Sequence, residues 1–393
     1  MNYMDLTQKR PRILALDLLR GYFLFVIIID HAGMFPSLFE FFSGRGELWA
    51  SAAEGFFIIS GLLVGYIYGP RMVKNIWSAT KKIWKRAAVL YAVSVVATWV
   101  FVMWGNISGS SAIKEGLWTQ PQLGEFLYKT LTLQYYYGWT DFLPYYAIFM
   151  IIAPLALWAC TKRLGWAVIV VSAGVWLLRG QSFEMSWQFL FMPSIVLGWY
   201  LPKVEAAFRN LRPQTRKIIT RSVCTAAIAT FLLSEFCTHL SEYMVDSYQG
   251  FAALPAALKT VFGVGDTIRE FMTPLIIKWT LEPLRIATAL LWFGALYMFI
   301  RQHEAAINQF TRGFFTFLGE RSLVVYVTHA IVIFAVSLTL QNSQNFVINS
   351  VLTAVVIAAV YVLVQAWLLA TQTVKLLSGA TLRAARQWRE EPL

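Results

Sequence analysis

Arg20 and His31 stand eleven positions apart in RGYFLFVIIIDH, a run that is otherwise apolar. On a helix, eleven steps of about 100° return His31 to within roughly 20° of Arg20, so a permanent cation and a titratable imidazole share one face. Asp17, Leu24 and Ile27 fall on the same stripe. Such groups are costly in hydrocarbon and are usually kept there for chemistry or a polar pathway; the other reading is a structural polar cluster that holds helices together. His31 is the candidate general base, because its ordinary titration range suits taking a proton from an acceptor hydroxyl at neutral pH. Arg20 could hold a phosphate or amide of a donor, and an ion pair with Asp17 is a competing but compatible reading. Asp30 lies about 100° round the helix from His31 and is expected to face a partner helix.

Other segments supply further candidates. Glu54, in ASAAEGFFIISGLLVGYIYG, either orients His31 or lies at the water interface. Ser60 and Gly61 interrupt that run and permit close helix approach. KKIWKRAAVLY clusters Lys81, Lys82, Lys85 and Arg86, which would attract a polyanionic donor but equally serve topology and lipid contact. His329, in ERSLVVYVTHAIVI, is a second imidazole within an apolar segment, either lining a cavity or acting in catalysis. Trp118, Tyr135, Tyr136, Tyr137 and Trp139 make one connection aromatic, suited to an interfacial belt or to stacking on a sugar.

These side chains need helices in a membrane to position them. With 58% hydrophobic and 14% charged residues and a mean hydropathy of +0.57, the chain is too apolar for a soluble protein of its length. The expected fold class is an all-α integral membrane protein of about ten transmembrane helices. The windows run roughly from 13 to 35, 50 to 69, 87 to 105, 143 to 160, 165 to 180, 187 to 201, 219 to 237, 284 to 300, 322 to 340 and 348 to 370. The net charge of +12 would suit nucleic acid, but the basic residues occupy alternate short connections, the pattern of the positive-inside rule. No nucleic-acid partner is expected, and both termini are read as cytoplasmic.

Cys160, Cys224 and Cys237 offer neither metal spacing nor an even disulfide framework, and no metal site is expected. The first apolar run is too long and too charged for a cleavable signal. FAALPAALKTVFG reads as an amphipathic stretch on the membrane surface or over a cavity. Residues 1–370 form one polytopic domain, followed by a basic amphipathic tail, 371–393, on the anionic leaflet.

The spacing of Arg20 and His31 after LDLLRG resembles the signature of the membrane acyltransferase-3 superfamily. The segments ASAAEGFFIISGLLVGYIYG, KRAAVLY, DFLPYYAIFMIIAP, SWQFLFMPSIVLGWY and LGERSLVVYVTHAIVI resemble, in order, its OpgC branch, which is named for a succinyltransferase of periplasmic glucans. The resemblance implies a multi-pass protein of the cell inner membrane that moves an acyl group, succinyl or acetyl, from cytoplasmic acyl-CoA to an outer glycan hydroxyl. It implies His31 as the catalytic histidine and Arg20 as its motif partner, with Asp30 and Glu54 beside them. Arg20, Lys82, Lys85 and Arg86 would hold the donor, and Trp139, Tyr146, Trp187 and His329 the acceptor. Chemistry would proceed by direct base catalysis or through an acyl-histidine. The rival class is a transporter or flippase using Asp17, Arg20, Asp30 and His31 as a relay; the matched broken helices that would favour it are not evident in the sequence.

Overall fold

The computed structural model describes residues 10–108, 122–241, 255–338 and 343–390, with side chains as far as Thr373. Helix α1 (Leu14–Ala32) and the short α2 (Glu40–Ser43) precede α3 (Ala52–Lys74), α4 (Ile76–Ser108) and α5 (Leu123–Leu131). Then come α6 (Phe142–Thr161), α7 (Gly165–Trp176), α8 (Phe183–Arg209) and α9 (Pro213–Glu235). Helices α10 (Ala256–Met272), α11 (Pro283–Phe310), α12 (Phe314–Glu320), α13 (Ser322–Ser337) and α14 (Phe346–Glu390) follow. Among the described residues there is no strand, in keeping with the all-helical expectation.

By length and apolar character six helices can cross a membrane, or seven when α12 and α13, bent by 98° at one break, count as a single span. Ten were expected, and the shortfall has physical causes. Helix α1 carries Asp17, Arg20 and Asp30 within 19 residues. Helix α7 has 12 residues, reaching about 18 Å against a hydrocarbon core of about 30 Å. Helix α8 is long, but Gln188, Pro193, Trp199, Tyr200 and Pro202 lower the hydropathy of its central stretch. The break between α12 and α13 is a feature that hydropathy did not reveal.

Helix α1 packs against α3, α11, α12, α13 and α14. Most of its side chains are buried, so protein rather than lipid surrounds its polar stripe. Close approach depends on small residues. A Cβ on Gly21 would collide with the carbonyl of Phe315, and one on Gly319 with the carbonyl of Asp17, so α1 and α12 touch backbone to backbone. Gly61 and Gly65 of α3 meet the carbonyls of Phe191 and Ile195 in the same way, and Gly198 of α8 meets that of Leu62. Gly61 thus plays the close-packing part expected of it.

The start of α1 is pinned by polar contacts. Arg10 donates to the carbonyls of Gly198 and Trp199, both at 2.9 Å. Ile13 provides no side-chain cap; instead the Ala15 N–H, one of the unpaired donors of a helix's first turn, reaches Glu304 Oε2 of α11 at 3.0 Å.

Trp118 lies outside the described residues, as do the first four residues of FAALPAALKTVFG; the rest of that stretch enters α10, which is largely exposed. Residues 371–390 of the expected tail prolong α14, but the side chains of Lys375, Arg383, Arg386 and Arg389 lie outside the described residues. Replacing Gly21 by Val should force α1 and α12 apart and destabilise the protein by about 1–3 kcal/mol. A thermal unfolding midpoint in detergent equal to that of the unchanged protein would contradict this backbone contact.

Candidate active site

His31 sits in the last turn of α1, where Gly33 ends the helix in a left-handed conformation with φ of 61°. Its Nδ1 lies 2.9 Å from Nε2 of His329 on α13, with ring centroids 5.1 Å apart. His329 is fully buried, whereas His31 is partly exposed. One helical turn before His329, Tyr326 brings its ring to 4.8 Å and donates its hydroxyl to Asp141 Oδ1 at 3.3 Å. A polar line therefore runs from α1 through α13 to the start of α6.

Toward the other end of α1, Arg20 shares a narrow cleft with Arg86, Tyr146 and Tyr326. Its guanidinium lies 5.7 Å from the centre of the Phe56 ring, and Arg86 lies 5.8 Å from that of Tyr146. Arg20 forms no ion pair among the described residues, and its Nε is buried without a hydrogen-bond partner. The expected pair with Asp17 does not form, because Asp17 binds Arg12 at 2.5 Å while Arg12 also reaches Glu320 at 2.9 Å. Two guanidinium groups facing one cleft without a carboxylate between them repel each other. An entering anion would relieve that repulsion.

Of the inner basic cluster only Arg86 turns inward; Lys82 and Lys85 are exposed, and Lys81 rests over Trp77 at 5.1 Å. The structure therefore does not bring Lys82 or Lys85 to Arg20, because α4, which carries Lys82, Lys85 and Arg86, can present only part of its circumference to the cleft.

Glu54 is also tied elsewhere. It receives Ser51 N–H and Oγ–H at 2.8 and 2.6 Å and pairs with buried Arg285 at 2.5 Å. Arg285 further donates to the carbonyls of Leu48 and Ile276. Glu54 thus locks α3 to α11 and to the preceding loop, and its hydrogen bonds go to Ser51 and Arg285 rather than to His31. Asp30 faces not the partner helix expected of it but the connections that carry Gly46 and Lys278. Beside it, the imidazole of His239, 3.6 Å from Glu47, holds the Glu47 carboxyl below the usual carboxylate range.

Lys278 belongs to a segment secured from several sides. Trp176 Nε1 donates to the Leu281 carbonyl at 3.0 Å, Ser186 Oγ to that of Trp279 at 3.0 Å, and Arg179 pairs with Glu282 at 3.0 Å. That hydrogen-bonded guanidinium holds the Glu282 carboxyl below its ordinary range.

The acceptor candidates separate by depth. Tyr146 is buried beside Arg86, and His329 beside His31. Trp139 is partly exposed and packs edge-on against Tyr137 at 5.3 Å. Trp187 is buried and stacks on Phe183 at 4.8 Å, so it forms core rather than an open wall. The pattern of residues along the chain did not single out Arg285, Lys278, Asp141 or Tyr326. For Tyr326 a signal existed, since it precedes His329 by one helical turn; Arg285 offered none beyond being a cation at the start of an apolar run.

Removing Arg285 leaves the Glu54 carboxylate buried without its cation. Arg285→Ala should cost about 3–5 kcal/mol, and Arg285→Met with Glu54→Gln much less. Equal thermal midpoints for the two variants would refute the pairing.

A model of the OpgC protein family matches residues 12–373. No curated protein and no solved structure matches the chain.

Proposed function

The chain belongs to the OpgC protein family, and from that premise we propose that it is an inner-membrane O-acyltransferase carrying succinyl or acetyl from acyl-CoA to a glycan hydroxyl. The observation that carries this reading is the placement of the His31–His329 contact and the Arg20–Arg86 cleft at opposite ends of α1. Eleven residues of helix separate them by about 16 Å. The donor phosphates would enter at the guanidinium groups, and the thioester at the end of the pantetheine arm would lie toward His31. In this reading α1 and α8 also cross the membrane, and the basic connections face the cytoplasm.

The imidazole pair supplies the base. Nε2 of His329 faces His31 Nδ1 at 2.9 Å, while Nδ1 of His329 is buried without a hydrogen-bond partner. In this reading His31 Nδ1–H donates to Nε2 of His329, which leaves the lone pair on Nε2 of His31 for substrate. The acceptor hydroxyl gives its proton to this nitrogen while its oxygen attacks the thioester carbonyl. The C–S bond then breaks, and the departing thiolate takes the proton back from the imidazolium as the ester forms. His329 acts here as a positioning residue, in the way a hydrogen-bonded partner fixes the tautomer and orientation of a catalytic histidine. The break between α12 and α13 resembles the discontinuous helices of transporters, but it has no matched partner among the described residues.

Cells carrying His31→Ala at normal protein levels should lose acylation of surface glycans by at least about 10²-fold, read by mass spectrometry. Arg20→Ala should raise the apparent KM for acyl-CoA more than it lowers kcat. Full acylation in both variants would sink the assignment, and loss of export with acylation intact would favour a transporter.

A further inference from the structure

On the side of the bundle away from the His31 site, a cavity of about 700 Å³ opens between α8, α9 and α11. Its volume falls in the range of small-molecule sites, about 300–1,000 Å³. Its wall combines two chemistries. Leu201, Phe208 and Met298 form an apolar floor, and Arg209, Arg216, Lys217 and Arg221 form a basic rim. None of these four cations makes an ion pair among the described residues. The remaining lining charges, Arg301 and Glu205, pair at 3.0 Å, Arg301 also pairs with Glu304 beside the cavity at 2.5 Å, and Tyr297 donates to the Glu205 carboxylate at 2.6 Å. The rim therefore carries four uncompensated positive charges over an apolar base.

We propose that this cavity binds the phosphate headgroup of an anionic phospholipid from the adjoining leaflet, with the start of an acyl chain on the apolar floor. Three observations select a lipid. The span containing α9 is only 17% buried over its apolar window, so the helix that supplies three of the cations borders the bilayer along most of its length. Ile218 and Ile219 are exposed between the cations of that helix, which places the cations at the boundary between hydrocarbon and water. The cavity is amphipathic in the same sense as a phospholipid, charged at the rim and apolar within. Helix α9 packs chiefly on α11, so a lipid seated here would bridge α9 to α8 as well.

The test uses the full chain in nanodiscs of phosphatidylcholine with and without phosphatidylglycerol, reading thermal unfolding and the lipid retained in native mass spectrometry. Phosphatidylglycerol should raise the unfolding midpoint and remain bound. Arg216→Gln, Lys217→Gln and Arg221→Gln together should reduce retention by about tenfold or more, since each cation near a lipid surface contributes on the order of 1 kcal/mol. Arg216→Lys with Arg221→Lys keeps the charge and should retain the lipid, which separates loss of charge from loss of fold. Equal retention by the unchanged protein and the triple glutamine variant would overturn the proposal. So would displacement of the lipid by millimolar inorganic phosphate or coenzyme A, which would make the cavity a site for soluble phosphates.

Discussion

Everything polar in this bundle depends on the enclosure of α1 by other helices. Hydrocarbon offers no hydrogen-bond partner and barely solvates charge, so in the proposed reading, where α1 crosses the membrane, a helix bearing Asp17, Arg20, Asp30 and His31 needs protein in place of lipid on its polar sides. Five helices do this. The contact with α12 is the tightest, since Gly21 and Gly319 each lie against the carbonyl of the other helix.

Asp17 and Arg20, three residues apart on α1, solve that problem differently. Near its start, Arg12, Asp17 and Glu320 neutralise one another, and Glu304 supplies the missing cap. That end is electrostatically complete. Arg20 and Arg86, by contrast, share a cleft with no carboxylate among its lining residues. Arg20 stays unpaired while Asp17, its neighbour at i−3, is paired elsewhere, and this supports the proposed donor site. The same contrast recurs among α8, α9 and α11, where Glu205 and Glu304 pair with Arg301 and the rim cations make no ion pair among the described residues.

Glu54 and His31 illustrate how much of the site could be read in advance. The Arg20–His31 face and the divergence of Asp30 follow from a rotation of 100° per residue, which holds in any α-helix whatever surrounds it. The pairing of Asp17 with Arg20 also follows that geometry, yet Arg12, five residues before Asp17, took the carboxylate instead. Local spacing shows which partners are reachable, and competition among them depends on elements that spacing does not place. Glu54 is the sharper case: its cation, Arg285, is 231 residues away. A similar distance, 298 residues, separates His31 from His329.

Composition and the short-range helical period were enough to establish an all-helical membrane protein, the shared face of Arg20 and His31, and the close-packing role of Gly61. Only the closed bundle established that His31 meets His329, that Glu54 serves Arg285, that Lys82 and Lys85 stay outside, and that one span breaks at Arg321. Those outcomes depend on which helix faces push together in three dimensions. Residues hundreds of positions apart meet only when a bundle closes, and neither charge nor hydropathy along the chain encodes the rotation at which each helix arrives.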